Sequence, residues 1–95
     1  IMRFNLSACP EKMATIGQIF LGKRRRSVHA TARAGIERLM EFCQTLGVPT
    51  RLREIFPERD KLPELCLMAV KDVCLVTNPR TATWEDLLQV CEEAW

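Results

Sequence analysis

No stretch of this chain carries the roughly 18 consecutive apolar residues that a membrane-crossing helix needs. The N-terminus has neither the apolar core nor the small-residue cleavage site of a secretory signal. Gly17, Gly22, Gly35 and Gly47 stand alone, so no Gly-rich turn is available to cradle a phosphate. Histidine occurs once, at His29, with no Cys, His or acid at ligand spacing. The five cysteines (Cys9, Cys43, Cys66, Cys74 and Cys91) form no Cys-x-x-Cys pair, which argues against structural zinc. Their odd number and wide spread argue against a disulfide framework. They read as free, mostly buried thiols of a protein in a reducing cytoplasm. No Ser-His-acid or Cys-His grouping can be nominated, because His29 lies beside a basic run and far from every acid but Glu37. The adjacent acids Glu85-Asp86 and Glu92-Glu93 would point about 100° apart on a helix, a solvated face and not an acid–base pair. The residues by themselves nominate no catalytic, cofactor-binding or metal site.

What is present is the composition of a small globular domain. The 95 residues are 47% hydrophobic with mean hydropathy near zero, which sets the chain apart from disordered and membrane-spanning classes. The net charge of +2 is unevenly distributed. Residues 1–34 hold seven Lys/Arg and one acid, and residues 35–95 hold seven Lys/Arg and eleven acids. Lys23-Arg24-Arg25-Arg26 supplies much of the basic excess. Such a run can mark a nucleic-acid patch or an import signal, but no aromatic residue interleaves it to stack on bases. It reads as a solvated loop between two helices. An opening of Ile1-Met2 is expected of a fragment.

Periodicity predicts an all-α fold, a small bundle of about four helices in residues 1–95 without repeats or an internal domain boundary. Pro10 suits the first position of a helix, Glu11 suits its dipole, and Met13, Ile16 and Phe20 repeat at helical spacing before Gly22 stops the segment. Ser27 is a cap for the second helix, whose apolar face runs Val28, Ala32, Ile36, Leu39, Met40, Cys43 and Leu46 until Gly47 and Pro49 end it. Arg33 and Glu37 are spaced to pair on the other face. Residues 50–55 read as a helical turn or two. Asp60 is the expected cap of a third helix over Leu62–Val73, with Pro63 tolerated in its first turn. That segment is apolar nearly all round, so Leu67, Met68 and Val70, with Cys74 at the edge, are expected on an uncovered face. Thr83 and Asp86 form a capping box for the last helix, with Trp84, Leu87, Leu88, Cys91 and Trp95 on its inner face.

Four segments, in order, resemble the iron-containing alcohol dehydrogenase family. Leu46-Gly47-Val48-Pro49-Thr50-Arg51-Leu52-Arg53-Glu54 is similar to the family's loop of Leu-Gly, a hydrophobic residue, Pro, and Leu-Arg followed by an acid. Asp60-Lys61-Leu62-Pro63-Glu64-Leu65, then Ala69-Val70-Lys71-Asp72-Val73-Cys74 and Asn78-Pro79-Arg80, resemble three further family elements. The tail from Thr83 to Ala94-Trp95 looks like the family's final helix. Met2-Arg3-Phe4-Asn5 with Ala8-Cys9-Pro10-Glu11-Lys12 is similar to the segment that follows the family's metal-binding helices.

The resemblance implies that residues 1–95 are the C-terminal helical portion of such an enzyme, without its nucleotide-binding domain or the helices bearing its Asp and three His metal ligands. His29 matches no family ligand. The complete enzyme would use NAD(P) and iron, or another divalent metal, to interconvert primary alcohols and aldehydes. This portion would wall the substrate pocket and be inactive alone. Cys74 is the position carried over as a pocket-lining candidate, while Asn78 and Arg80 are expected to fix a turn and cap helix ends. The implied partner is the remainder of the dehydrogenase chain, with self-association of the isolated portion as a consequence of its uncovered face. A membrane is excluded as a partner. The alternative from another class is a stand-alone helical module that binds an acidic partner or nucleic acid through Lys23 to Arg26.

Overall fold

The computed structural model describes all of residues 1–95 and contains helices and turns but no strand. The all-α expectation holds. The chain divides into two compact units, Ile1–Val48 and Pro49–Trp95, at a point where the sequence reading places no boundary. Local chemistry explains the break. Gly47 is left-handed at φ 71, the N–H of Val48 reaches the Cys43 carbonyl at 3.0 Å, and the N–H of Gly47 reaches that of Gln44 at 3.0 Å. This Schellman arrangement closes a helix, and Pro49 then has no N–H with which to resume it.

The first unit holds α1 (Met2–Asn5), α2 (Pro10–Leu21) and α3 (Val28–Thr45). Pro10 and Glu11 open α2 as expected, and Gly22, at φ 69, ends it. Ser27 caps α3 by accepting from the Ala30 N–H at 3.1 Å. The core is built from smaller side chains than the periodicity suggests: Met13, Ala14 and Ala32 are buried, with Met2, Leu6, Cys9 and Val28 packed around them. Ile16, expected inside, is exposed, and Gly17 is buried in its place. The reason is a backbone-close crossing, since Gly17 of α2 lies against Gly35 and the Thr31 carbonyl of α3. Phe20 and Phe42 form a tilted aromatic pair, their centroids 6.0 Å apart. On the helix surface the ion pair forms between Arg38 and Glu41 at 2.9 Å, not between Arg33 and Glu37.

The second unit contains two helices. Single 3-10 turns at Leu52–Glu54 and Arg59–Lys61 lead to α4 (Leu62–Ala69), a third 3-10 segment follows at Val73–Thr77, and α5 (Trp84–Ala94) completes the unit. The third predicted helix is thus shorter than Leu62–Val73. Asp72 explains the early stop: its backbone is extended and its carboxylate accepts the Cys74 N–H at 2.7 Å, opening a new turn where α4 would have continued. Asp60 is not a cap, because it sits inside the preceding 3-10 turn and no side chain caps α4. The capping box of α5 forms as predicted: Thr83 Oγ1 accepts from the Asp86 N–H at 3.2 Å and Asp86 Oδ2 accepts from the Thr83 N–H at 3.0 Å.

α4 packs on α5, with Leu62, Cys66 and Ala82 buried. The expected inner face of α5, Trp84, Leu87, Leu88, Cys91 and Trp95, is half-buried throughout. Trp84 Nε1 donates to the Pro63 carbonyl at 3.0 Å, which satisfies the one polar group of a large apolar side chain. Arg59 pairs with Glu92, and Arg51 Nη1 donates to the Glu93 carbonyl at 3.1 Å, so two arginines reach the last turn of α5. That placement complements the negative end of the helix. No helix is long and apolar enough to cross a membrane.

Candidate functional site

Cys74 is the second residue of the 3-10 turn after α4 and is exposed. Asp72 governs its chemistry. Hydrogen bonding to the Asp72 carboxylate, reinforced by that group's negative charge, raises the Cys74 thiol above its ordinary range. Reciprocally, the backbone N–H of Cys74 and then its side chain hold the Asp72 carboxyl below the usual carboxylate range. A thiol kept protonated in this way is a soft, neutral surface group and a poor nucleophile at neutral pH. The spacing of an Asp two residues before the turn's first free N–H is a readable Asx-turn signal that the periodicity argument passes over.

Asn78 and Arg80 behave as turn residues. Asn78 Nδ2 donates to the Arg80 carbonyl, and Arg80 reaches Asp86, in the first turn of α5, at 3.5 Å. The link ties the Asn-Pro-Arg turn to the helix that follows it.

The thiols are all free, but "mostly buried" does not describe them: Cys66 alone is buried, Cys9, Cys43 and Cys91 are half-buried and Cys74 is exposed. Two short helices cannot cover both faces of the second unit, so thiols on α5 and in the turn stay near solvent. Burial, and then hydrogen bonding and charge from Cys91, push the Cys66 thiol up to about 11.

In the first unit an open cleft of about 280 Å³ is lined by Arg3, Leu6, Arg33, Ile36 and Glu37, a set without a nucleophile or a general base in reach of one. The basic run is exposed, but it is more than a plain loop. Arg24 pairs with Glu11 at 2.8 Å, and the Arg25 N–H donates to Thr31 Oγ1 at 2.9 Å while that hydroxyl donates to the Ser27 carbonyl at 2.8 Å. Thr31 is fully buried. A single polar residue of α3 therefore anchors the loop by its backbone, a role that its place among the apolar positions does not announce. Replacing Lys23, Arg24 and Arg26 with Ser is expected to lower stability by no more than about 1 kcal/mol, because an exposed ion pair contributes about 0–1 kcal/mol. Urea denaturation followed by circular dichroism measures it, and a larger loss would mean that these side chains hold the loop themselves.

No group of three His, Cys, Asp or Glu side chains converges anywhere in residues 1–95. His29 lies exposed in the first turn of α3. The donor set does not fit a resident divalent metal, and no glycine-rich helix entrance fits a dinucleotide.

Fold and site together define a strand-free helical region in two units that lacks an assembled reaction centre. Its affiliation is specific. The model for the C-terminal region of the Fe-containing alcohol dehydrogenase family matches residues 1–95, and the chain belongs to that family. Among its relatives, lactaldehyde reductase of Escherichia coli strain K12 is 30% identical over 96 residues, which cover 100% of this chain and 25% of that protein. The NAD-dependent methanol dehydrogenase of Bacillus methanolicus is 31% identical over 96 residues, covering 99% and 25%. A solved structure of a 1,3-propanediol oxidoreductase superposes with a TM-score of 0.90 at 27% identity, again over 99% of this chain and 25% of that one. The chain thus spans about a quarter of the length of the relatives it matches.

Proposed function

We propose that these residues are the helical part of a nicotinamide-linked, metal-dependent oxidoreductase that interconverts primary alcohols and aldehydes, in which they wall the substrate pocket and are inactive alone. The carrying observation is the match of 99% of this chain, at a TM-score of 0.90, to a quarter of an oxidoreductase chain. In this reading NAD(P) and iron, or another divalent metal, belong to the remainder of the enzyme, since the residues present fit neither. The contribution of this portion is enclosure: helices that exclude water from a reacting carbonyl strengthen every electrostatic interaction around it. Cys74 supplies a neutral, polarizable wall, its thiol kept protonated beside Asp72.

The remainder of the dehydrogenase chain is also the partner that covers Leu67 and Met68, exposed as expected, together with Val73 and Val76, whereas Val70, expected beside them, is half-buried. Large apolar side chains left exposed this close together in sequence are what an interface covers. Nucleic acid is not a partner in this reading, because no aromatic interleaves Lys23 to Arg26 and Arg24 is engaged by Glu11.

The test is a hybrid in which residues 1–95 replace the corresponding quarter of lactaldehyde reductase. The hybrid is expected to reduce aldehydes with a nicotinamide, and Cys74→Trp in it to lower kcat/KM for the aldehyde about tenfold or more with nicotinamide affinity unchanged. The chain alone is expected to give no saturable fluorescence change with reduced nicotinamide. A folded but inactive hybrid, or saturable nicotinamide binding by the chain alone, overturns the proposal.

A further inference from the structure

The two helices of the second unit bring two thiols together from distant points in the chain. Cys66 Sγ and Cys91 Sγ lie 3.8 Å apart, in hydrogen-bond contact, although 25 residues separate them in sequence. Each sits on its helix's inner stripe. On α4, Leu62 and Cys66 are the buried residues, one turn apart. On α5, Cys91 is half-buried, as are Leu87 and Leu88 one turn before it. The contact is therefore a product of helix packing and not of local chain geometry. The other thiols have different surroundings: Cys9 Sγ donates to the Asn5 carbonyl at 3.4 Å, Cys43 is half-buried on α3, and Cys74 stands exposed beside Asp72.

We infer that Cys66 and Cys91 form a dithiol site that a low-molecular-weight disulfide converts to an intrachain disulfide joining α4 to α5. This reaction is independent of the dehydrogenase reading. A disulfide needs its sulfurs at about 2.05 Å, so the pair, at 3.8 Å, must close by about 1.8 Å. The order of events follows from exposure. Cys91 is half-buried and meets the oxidant first, whereas Cys66 is fully covered and, pushed up by burial, is a poor initial attacker.

With glutathione disulfide as oxidant, the Cys91 thiolate attacks one of its sulfurs, forming a mixed disulfide and expelling one glutathione thiolate. Cys66 then gives up its proton, which the departing glutathione takes, and its sulfur attacks Cys91 Sγ. The mixed disulfide breaks and the second glutathione leaves as a thiolate, taking from solvent the proton that Cys91 released on ionising. In sum, two cysteines lose two electrons and two protons, and one glutathione disulfide becomes two glutathiones.

The product ties residues 66 and 91 across a loop that contains the 3-10 turn of Cys74, the Asn78-Pro79-Arg80 turn and the start of α5. Constraining the unfolded chain in this way stabilises the folded one. The melting temperature of the second unit is expected to rise by about 5 °C or more, and to return when a dithiol reductant is added.

Peptide mapping of the full chain provides the test. The reduced protein is exposed to a glutathione–glutathione disulfide buffer, remaining thiols are alkylated, and trypsin separates Cys66 (residues 62–71), Cys74 (72–80) and Cys91 (81–95) onto different peptides. The expected result is a linked pair of peptides 62–71 and 81–95, formed equally well in Cys74→Ser and absent in Cys91→Ser, in which Cys66 stays alkylatable. In concentrated urea the preference for this pair should disappear. A glutathione adduct that persists on Cys91 with Cys66 alkylated, or linkage through Cys74 at comparable yield in the folded protein, overturns the inference. The mapping on the unmutated chain decides the matter even if a variant fails to fold.

Discussion

Gly35→Ala is expected to destabilise the first unit by about 2–4 kcal/mol, although alanine is the better helix former. Two effects oppose each other. In an exposed helix interior the exchange gains about 1 kcal/mol from propensity and reduced chain entropy. At Gly35, however, an added Cβ would lie 2.0 Å from the Cα of Gly17 and 3.0 Å from its carbonyl carbon. Those are backbone atoms of α2, with no flexible side chain to swing aside. The helices would have to part by more than about 1 Å, and a gap of that size forfeits a quarter to a half of each dispersion contact along the seam. Met13, Ala14 and Ala32, the buried cluster of this unit, would loosen together. Packing therefore outweighs propensity. Gly17→Ala should show the same sign, since its Cβ would meet the Thr31 carbonyl oxygen at 2.6 Å. The double variant should lose less than the sum, because the first substitution already opens the seam. Denaturant titration followed by circular dichroism gives the comparison. A Gly35→Ala chain as stable as the parent would show that the two helices do not cross in backbone contact.

The seam also shows where sequence reasoning stops. Most helix ends were legible because they depend on chemistry within four residues: Pro10 and Gly22, Ser27 and Gly47, Thr83 and Asp86 all act where the spacing puts them. Asp60, by contrast, is taken up by the 3-10 turn before α4 and caps nothing. The crossing of Gly17 and Gly35 depends on which turns of two helices meet, and a helical glycine carries no mark of its partner. α4 was overextended for a related reason. Periodicity sees Val70 and Val73 as a continuing apolar face, whereas the Asp72 carboxylate competes locally for the Cys74 N–H and wins. The family was legible from ordered short motifs whose residues make turns, among them the Schellman end at Gly47 and the Asn78–Arg80 link. Cys74 was legible only through that resemblance; its shifted thiol follows from Asp72, two residues before it. The Cys66–Cys91 pair was not legible, because it exists only once α4 is laid on α5.

Leu62→Ala and Met68→Lys, on one short helix, are expected to separate its core from its docking face. Leu62 is 2% exposed and is one of three buried hydrophobic residues in Pro49–Trp95, with Cys66 and Ala82. Truncating a buried leucine costs about 2–5 kcal/mol in lost transfer energy and residual cavity. A unit of so few buried side chains has little else to draw on. Leu62→Ala should therefore bring the second unit close to unfolding at room temperature. Met68 lies six residues on, about 240° around the helix, and is 66% exposed beside Leu67. Lysine there keeps a long unbranched stem and adds a solvated charge, so stability should change by less than about 0.5 kcal/mol. Association should change instead. Leu67, Met68, Val73 and Val76 are all exposed, and in the proposed enzyme the rest of the chain covers them. Without that cover the parent is expected to self-associate as its concentration rises, and a charge at Met68 to shift it toward monomer in sedimentation runs. Should Met68→Lys unfold the second unit while the parent remains monomeric when concentrated, Met68 would belong to the core of this chain and the uncovered-face reading would be wrong. If instead Leu62→Ala costs little and Met68→Lys dissolves the assemblies, the face holds but the core of the second unit is not the Leu62–Cys66 stripe.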